Sequence, residues 1–223
     1  MRTVTIEDLI GRPLNRTEEK NSPGRVYVQG PMDIPLSPPR ISVVGTRRPT
    51  GEGVKEAQAL TKMLVDNDAT VVSGLAAGID AASHKSTIEH GGRTVAVLGT
   101  PLNVTYPVSN RDLQARIADR HLVVSQFSGE RPVTKKNFVM RNRTMALISD
   151  ASVIVEAGED SGTRHQGWEA IRMKRPLFVC GPVARRRPKW LEEMEDYGAV
   201  TLENYEDILD VVPHSIKLID VFG

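Results

Sequence analysis

One stretch of the chain is rich in Lys and Arg and contains no acid, so its side chains could bind a phosphate. Its basic residues are Arg131, Lys135, Lys136, Arg141 and Arg143. A buried strand is predicted after it at 152–156, because SVIVE is a short β-branched apolar run. Ser161-Gly162-Thr163 follows at a predicted helix start, where free backbone N–H groups and the helix dipole favour an anion. We therefore expect a site for a phosphate-bearing ligand on both sides of this strand.

Two glycine-containing turns earlier in the chain are candidates for the same site. Gly45-Thr46-Arg47 follows a predicted strand at 41–44, and the Arg47 guanidinium can fork onto phosphate oxygens or stand as a solvated arginine. Ser73-Gly74 opens a Gly/Ala-rich turn before a predicted helix. That turn either lets the backbone approach a ligand closely or packs the helix tightly on the sheet, and the pattern leaves both open.

Phe138 and Asn142 lie inside the basic stretch. An aromatic side chain there can stack on a base, although a phenylalanine more often belongs to the core. Other chemistries lack their motifs: the chain has no Walker A lysine, no Gly-x-Ser-x-Gly elbow and no dinucleotide fingerprint after the strand at 41–44. Asp80 and His84 have no third ligand in view, so we predict no metal and no cofactor.

Composition places few further limits on function. The chain has 223 residues, 39% of them hydrophobic and 26% charged, with a formal net charge of +1. No global field therefore steers it to nucleic acid, and any electrostatic recognition depends on local patches. Cys180 is the only cysteine, which excludes an intrachain disulfide. No apolar run is long enough to cross a bilayer and no signal-peptide core is present, so a cytoplasmic location without membrane contact is expected.

Short apolar runs alternate with helical patterns from residue 41 onward. This alternation predicts an α/β fold, with a mostly parallel sheet covered by helices on both faces and ligands at the carboxyl ends of the strands. We expect a polar N-terminal extension at 1–24 that includes a short helix capped by Thr5 and a linker from residue 12. The main domain is predicted at 25–212 and a C-terminal tail at 213–223.

Several segments, taken together and in this order, resemble the DNA-processing protein A family (DprA, also called Smf). They are VYVQG, ISVVGTRRPTGEG, SGLAAGIDAASH, YPVSN, LVVSQF, FVMRNRTMALISDASVIVEAGEDSGT and PLFVCGP. The similarity covers most of the chain from residue 25 to 211. It implies the family's core domain alone, an extended Rossmann fold. It also implies single-stranded DNA binding in a basic pocket at the strand ends, a homodimer, and help in loading a RecA-type recombinase during DNA uptake and recombination, without enzymatic activity.

Carried over by position, the resemblance assigns two groups of binding residues. Those implied to meet phosphates are Arg47, Lys135, Lys136, Arg141 and Arg143, and we add Phe138 and Asn142 from the basic stretch itself as candidate nucleic-acid contacts. Those implied to shape the pocket are Gly45, Ser73, Gly74, Gly162 and Thr163. The chain departs from the family pattern at Gln126, which stands where Glu is usual, and at 164–169, where a more apolar helix start is usual.

A second resemblance leaves an alternative function open. The segment from Met140 to Thr163 is also similar to LOG-type nucleoside-monophosphate phosphoribohydrolases, which carry a catalytic Glu after a Gly-Thr turn. Here the next acid after Gly162-Thr163 is Glu169, about one helical turn too far along. A sensor that binds a nucleotide without chemistry would use the same pocket.

Overall fold

A single sheet of nine strands runs through the described residues of the computed structural model, which are 1–129 and 132–212. Its spatial order is β1-β2-β6-β5-β4-β3-β7-β8-β9. The strands are β1 (Arg2–Val4), β2 (Val26–Gln29), β3 (Arg40–Gly45), β4 (Thr70–Ser73), β5 (Arg93–Leu98), β6 (Leu122–Ser125), β7 (Ala151–Glu156), β8 (Leu177–Val179) and β9 (Ala199–Thr201). Arg131 and the predicted tail at 213–223 lie outside the described residues.

Helices connect the strands and cover the sheet on both faces. The bounds are α1 (Ile6–Ile10), α2 (Arg16–Asn21), α3 (Gly51–Asp66), α4 (Ile79–Glu89), α5 (Arg111–Arg120), α6 (Lys135–Ile148), α7 (Arg164–Arg172), α8 (Gly181–Arg186), α9 (Lys189–Asp196) and α10 (Asp207–Asp210). The side chains of β3 point to hydrophobic cores on the two faces of the sheet. Ile41 and Val43 pack in the core that contains α3, whereas Val44 packs in the core that contains α6 and α7. The predicted α/β fold is thereby confirmed.

The order of the strands creates a crevice beside β3. Strands β3 to β6 proceed outward in one direction, and the chain then returns to place β7 on the other side of β3. All pairs from β6 to β9 are parallel, while β1 and β2 pair antiparallel at one edge. In such sheets the point where the order reverses leaves room for a ligand outside the carboxyl ends of the strands. Here that point lies between Gly45 and Glu156.

The N-terminal residues contribute to the same sheet and core. Thr5 caps α1 with a reciprocal capping box to Asp8, as the sequence predicts, and Ile6 and Leu9 are buried. The linker expected from residue 12 is wrong at 16–21, which form α2. The division of the chain at residue 25 stays a prediction.

Two buried ion-pair networks hold this N-terminal part to the body of the fold. The Arg40 guanidinium donates to both carboxylate oxygens of Asp150, at 2.8 and 2.9 Å, and to the Ile10 carbonyl at 3.1 Å. The Glu18 carboxylate accepts from Arg12 at 2.6 Å and from Arg175 at 2.5 Å. Burial alone would raise the pKa of Glu18, but hydrogen bonds from Arg12 and the Asn15 amide, with the charge of Arg175, lower it to about 2.

The sequence patterns miss β1, α2 and α8, all of which are short. Within the residues that the structure covers, no helix is both long and apolar enough to cross a membrane.

Candidate nucleic-acid interface

A crevice of about 610 Å³ opens where β3 and β7 end, at the point of strand-order reversal. Most of the predicted site residues are brought together here. Those that line it are Gly45, Arg47, Lys135, Phe138, Arg141, Asn142, Gly162 and Thr163. Gly74 lines a smaller adjoining cavity of about 160 Å³ that shares Arg47, Phe138 and Arg141 with the crevice. One continuous depression therefore holds these nine side chains and backbone positions.

The turn after β3 presents Arg47 at the rim. A Cβ at Gly45 would lie 2.5 Å from Ile79 Cγ1, so only glycine lets the strand pass this close to the start of α4. The Thr46 amide donates to the Glu156 carbonyl at 2.7 Å, which ties the turn to β7 across the reversal point. Arg47 is exposed, and its guanidinium carbon lies 5.8 Å from the centre of the Phe138 ring. The turn thus places a cation beside an aromatic face.

Phe138 forms part of the crevice wall and is only partly buried. Its ring centre lies 5.2 Å from that of Tyr106, with an interplanar angle of 51°. A Cβ at Gly99 would lie 2.5 Å from Phe138 Cδ1, so the backbone after β5 supports the ring closely. Two rings and a guanidinium at a pocket mouth are a suitable surface for stacking a nucleobase.

The acid-free sequence around Lys135 and Lys136 predicts an exposed loop, and this prediction is wrong because the two residues begin α6. Both are exposed, but of the two only Lys135 lines the crevice. The first turn of α6 contains no acid, and two cations at the positive end of a helix dipole are unfavourable unless an anion is nearby. An anion bound beside this first turn would offset the unfavourable charge.

Arg141 lies deeper and is only 6% exposed. Its Nη1 donates to the carbonyls of Gly74 and, at 3.0 Å, Val97, while its Nε donates to Asn142 Oδ1 at 3.0 Å. Burial lowers the pKa of Arg141, and the neighbouring Asp80 carboxylate opposes this effect. A Cβ at Gly74 would overlap the guanidinium, so a larger residue there would displace Arg141 from its present position. Arg141 therefore fixes the turn after β4 as well as lining the crevice.

Asp80, which the sequence did not identify as a site residue, is a buried acid in the crevice wall. Burial raises its pKa, and the charge of Arg141 and the amides of Ala76, Gly45 and Gly74 counteract that rise. The Asp80 carboxylate offsets the buried charge of Arg141, so the exposed Arg and Lys side chains of the crevice, Arg47, Arg48 and Lys135, are the groups available to an anion.

Three predicted residues do not line the crevice. Arg143 donates to Glu169 at 3.0 and 3.2 Å, and Arg172 pairs with the same carboxylate at 2.6 Å. Ser73 is fully buried and its hydroxyl donates to the Val43 carbonyl at 2.7 Å. Lys136 is the third. Roles for these residues in binding stay predictions.

The loop before α7 forms the opposite wall. The helix begins at Arg164, two residues later than the sequence predicts, and its first amides bond within the turn. Thr163 N–H donates to Ser161 Oγ at 3.2 Å, and Gln166 N–H donates to the Thr163 carbonyl at 2.9 Å. The loop therefore offers an anion fewer free amides than expected. The remaining lining residues that sequence reasoning did not select include Arg48, Tyr106, Ser161, His165 and Gln166.

A mostly parallel α/β sheet with a basic, aromatic-walled crevice at its strand-order reversal defines a Rossmann-like protein. The family described as DNA recombination-mediator protein A matches residues 7–213, and the chain belongs to this family.

Curated relatives agree with this assignment. The DNA processing protein DprA of Streptococcus pneumoniae is 33% identical over 199 residues, which are 88% of this chain and 70% of that protein. Protein Smf of Synechocystis is 37% identical over 166 residues, which are 74% of this chain but 38% of that protein. The first of these relatives is named for DNA processing, and the chain spans only part of the length of both.

Solved structures show the same fold. The Streptococcus pneumoniae DprA structure has a TM-score of 0.79 at 27% identity. The similar region covers 95% of this chain and 74% of the Streptococcus pneumoniae chain. A structure of DprA from Helicobacter pylori, described for its single-stranded DNA binding mode, has a TM-score of 0.77 at 25% identity. The similar region covers 94% of this chain and 95% of the Helicobacter pylori chain. The molybdenum cofactor binding protein of Rippkaea orientalis shares the fold, with a TM-score of 0.57 at 17% identity over 77% of this chain and 93% of its own.

Proposed function

We propose that this chain binds single-stranded DNA in the crevice at the ends of β3 and β7. The observation that carries the proposal is the grouping of Arg47, Lys135, Phe138 and Tyr106 at one pocket mouth. Arg47 and Lys135 would neutralise backbone phosphates, while the rings would stack on bases. This combination of a cationic groove and aromatic platforms is the usual basis of single-strand binding.

The family assignment supports a role in DNA processing during transformation and recombination. The Helicobacter pylori relative is described by its single-stranded DNA binding, which supports the same ligand here. We extend the proposal to a homodimer, located in the cytoplasm, that protects single strands and helps to load a RecA-type recombinase.

The test is fluorescence anisotropy of a labelled oligo-dT titrated at several salt concentrations. The double variant Arg47→Ala, Lys135→Ala removes two of the three exposed Arg and Lys side chains that line the crevice, the third being Arg48. Each lost phosphate contact should reduce the slope of log affinity against log salt by about 0.7, so the slope should fall by about 1.4. Affinity at low salt should fall with it.

The matched control is Lys55→Ala, Lys85→Ala, which removes the same charge from exposed positions on α3 and α4 outside the crevice. If both double variants lose affinity equally, a general charge effect replaces the proposed site. If the unaltered protein fails to bind oligo-dT at low salt, the proposal is wrong.

The hydrolase alternative receives less support. Its required acid was Glu169, and this carboxylate is 5% exposed, held by Arg143 and Arg172, and is not one of the residues that line the crevice. We therefore propose no catalytic role for the crevice.

A further inference from the structure

The two walls of the crevice differ in the charge that they can offer a ligand. On the side of β3 and α6, the exposed side chains Arg47, Arg48 and Lys135 line the crevice. The residues that line it from the side of α7 are Ser161, Gly162, Thr163, His165 and Gln166. Of these five, only His165 can become a cation. The charge of the α7 wall therefore depends on the protonation of one side chain.

His165 is placed where a ligand can reach it. It is the second residue of α7, its side chain is exposed, and it lines the crevice. Glu169, one helical turn further along, is already bound by Arg143 and Arg172 at 2.6–3.2 Å. Histidine is the side chain whose charge ordinarily changes between pH 5 and pH 8, and a nearby phosphate favours its charged form.

Several charged and titratable groups surround this ring. Those of the crevice are Arg47, Arg48, Asp80, Tyr106, Lys135 and Arg141, those of α7 and the loop before it are Glu159, Asp160, Arg164 and Glu169, and α9, which packs on α7, begins with Lys189. Asp80 is the one whose proton uptake could be mistaken for that of His165, because burial raises its pKa. The buried His84 is no such competitor, since burial lowers its pKa to about 3.

We propose that protonated His165 binds a backbone phosphate from the α7 side of the crevice, so that a single strand takes up a proton from solvent as it binds in mildly acidic solution. The proposal rests on the proposed function in placing a strand in this crevice, and it adds a contact on the second wall that depends on pH. The family resemblance does not supply this residue, because the chain departs from the family pattern at 164–169. The contact would distinguish this chain from relatives with an apolar helix start.

The experiment is anisotropy of rhodamine-labelled oligo-dT, titrated over a series of salt concentrations at about pH 5.5 and about pH 8. Thymine and the phosphodiester keep their charge over this range, so a change in affinity reports on the protein. The unaltered protein should bind about 3- to 10-fold more tightly at the lower pH in low salt, as one exposed charge-assisted contact would give. The slope of log affinity against log salt should also be steeper there by about 0.7, which is the value for one further phosphate contact.

Two variants of His165 test whether this side chain carries the effect. His165→Gln, which is neutral at both pH values, should show the same affinity and the same salt slope at both. His165→Lys, which is charged at both, should show the steeper slope at both, a result that a merely structural histidine would not give. His90→Gln is the matched control, because His90 is exposed at the end of α4 outside the crevice, and it should keep the full response to pH.

The outcomes separate this inference from the proposed function. If the unaltered protein binds oligo-dT with the same affinity and salt slope at both pH values, the His165 contact is wrong and single-strand binding stands. A response to pH that persists in His165→Gln also overturns the contact, and it assigns the proton to another group such as Asp80. If oligo-dT does not bind at either pH in low salt, both proposals fall.

Discussion

Replacing Phe138 with Leu tests the stacking surface directly. Leucine keeps an apolar side chain against the backbone at Gly99 but removes the ring that faces Tyr106 at 5.2 Å and Arg47 at 5.8 Å. Loss of one base–aromatic stack costs about 1–3 kcal/mol, which corresponds to a roughly 5- to 150-fold weaker affinity. Because Phe138 is only partly buried, the free energy of unfolding should fall by less than about 1.5 kcal/mol.

The assay is anisotropy with labelled oligo-dT at one fixed salt concentration, with urea unfolding of each variant beside it. Phe138→Tyr, which keeps the ring, should bind like the unaltered protein. Tyr197→Leu is the matched control, because Tyr197 is 68% exposed and packs on Trp168 instead of lining the crevice. If the Phe138→Leu variant binds oligo-dT as tightly as the Phe138→Tyr variant, the argument that this ring contacts a base is refuted.

Two further predictions concern the fold around the crevice. Gly74→Ala places a methyl group on the Arg141 guanidinium and should lower the free energy of unfolding by about 1–3 kcal/mol in urea, whereas Gly162→Ala, whose Cβ meets open space, should change it by no more than about 0.5 kcal/mol. Glu18 has a folded pKa of about 2 against an ordinary value of 4.5, so its contribution to stability is complete above about pH 5 and is lost as the pH falls toward 2. Glu18→Gln should flatten the loss of stability between about pH 5 and pH 3 in urea unfolding, and an unchanged pH profile would show that the Glu18 carboxylate, held by Arg12, the Asn15 amide and Arg175, does not act in this way.

The sequence identifies the main strands and the turn at Gly45 because these signals are local. A β-branched run followed by glycine and a basic residue indicates a strand and a turn without knowledge of the rest of the chain. The start of α6 is different. Its first residues, Lys135, Lys136 and Asn137, carry no apolar periodicity, so nothing local distinguishes a helix from a loop. For α2 a signal exists, since Asn15 and Glu18 form a capping box, but no apolar face follows it.

The destinations of the arginines could not be predicted. Arg141 and Arg143 are two residues apart, yet the first crosses the Gly74 carbonyl in the crevice and the second pairs with Glu169 outside it. The partner of each depends on how helices pack, and that information lies far away in the sequence. The burial of Gln166 is equally non-local, because a polar residue at a helix start is normally solvated.

The crevice walls come from segments scattered along the chain, at 44–48, at 76–80, at Tyr106, at 135–142 and at 161–166. No fragment that contains only some of these segments can present a complete site. A ligand that needs the whole crevice recognises the native chain and not the unfolded one, so by mass action it stabilises the entire sheet, by about 2.7 kcal/mol when its free concentration is 100 times the dissociation constant. Occupancy and global folding are therefore thermodynamically linked in this protein, and a filled crevice protects even the distant edge strands from proteolysis that requires global unfolding.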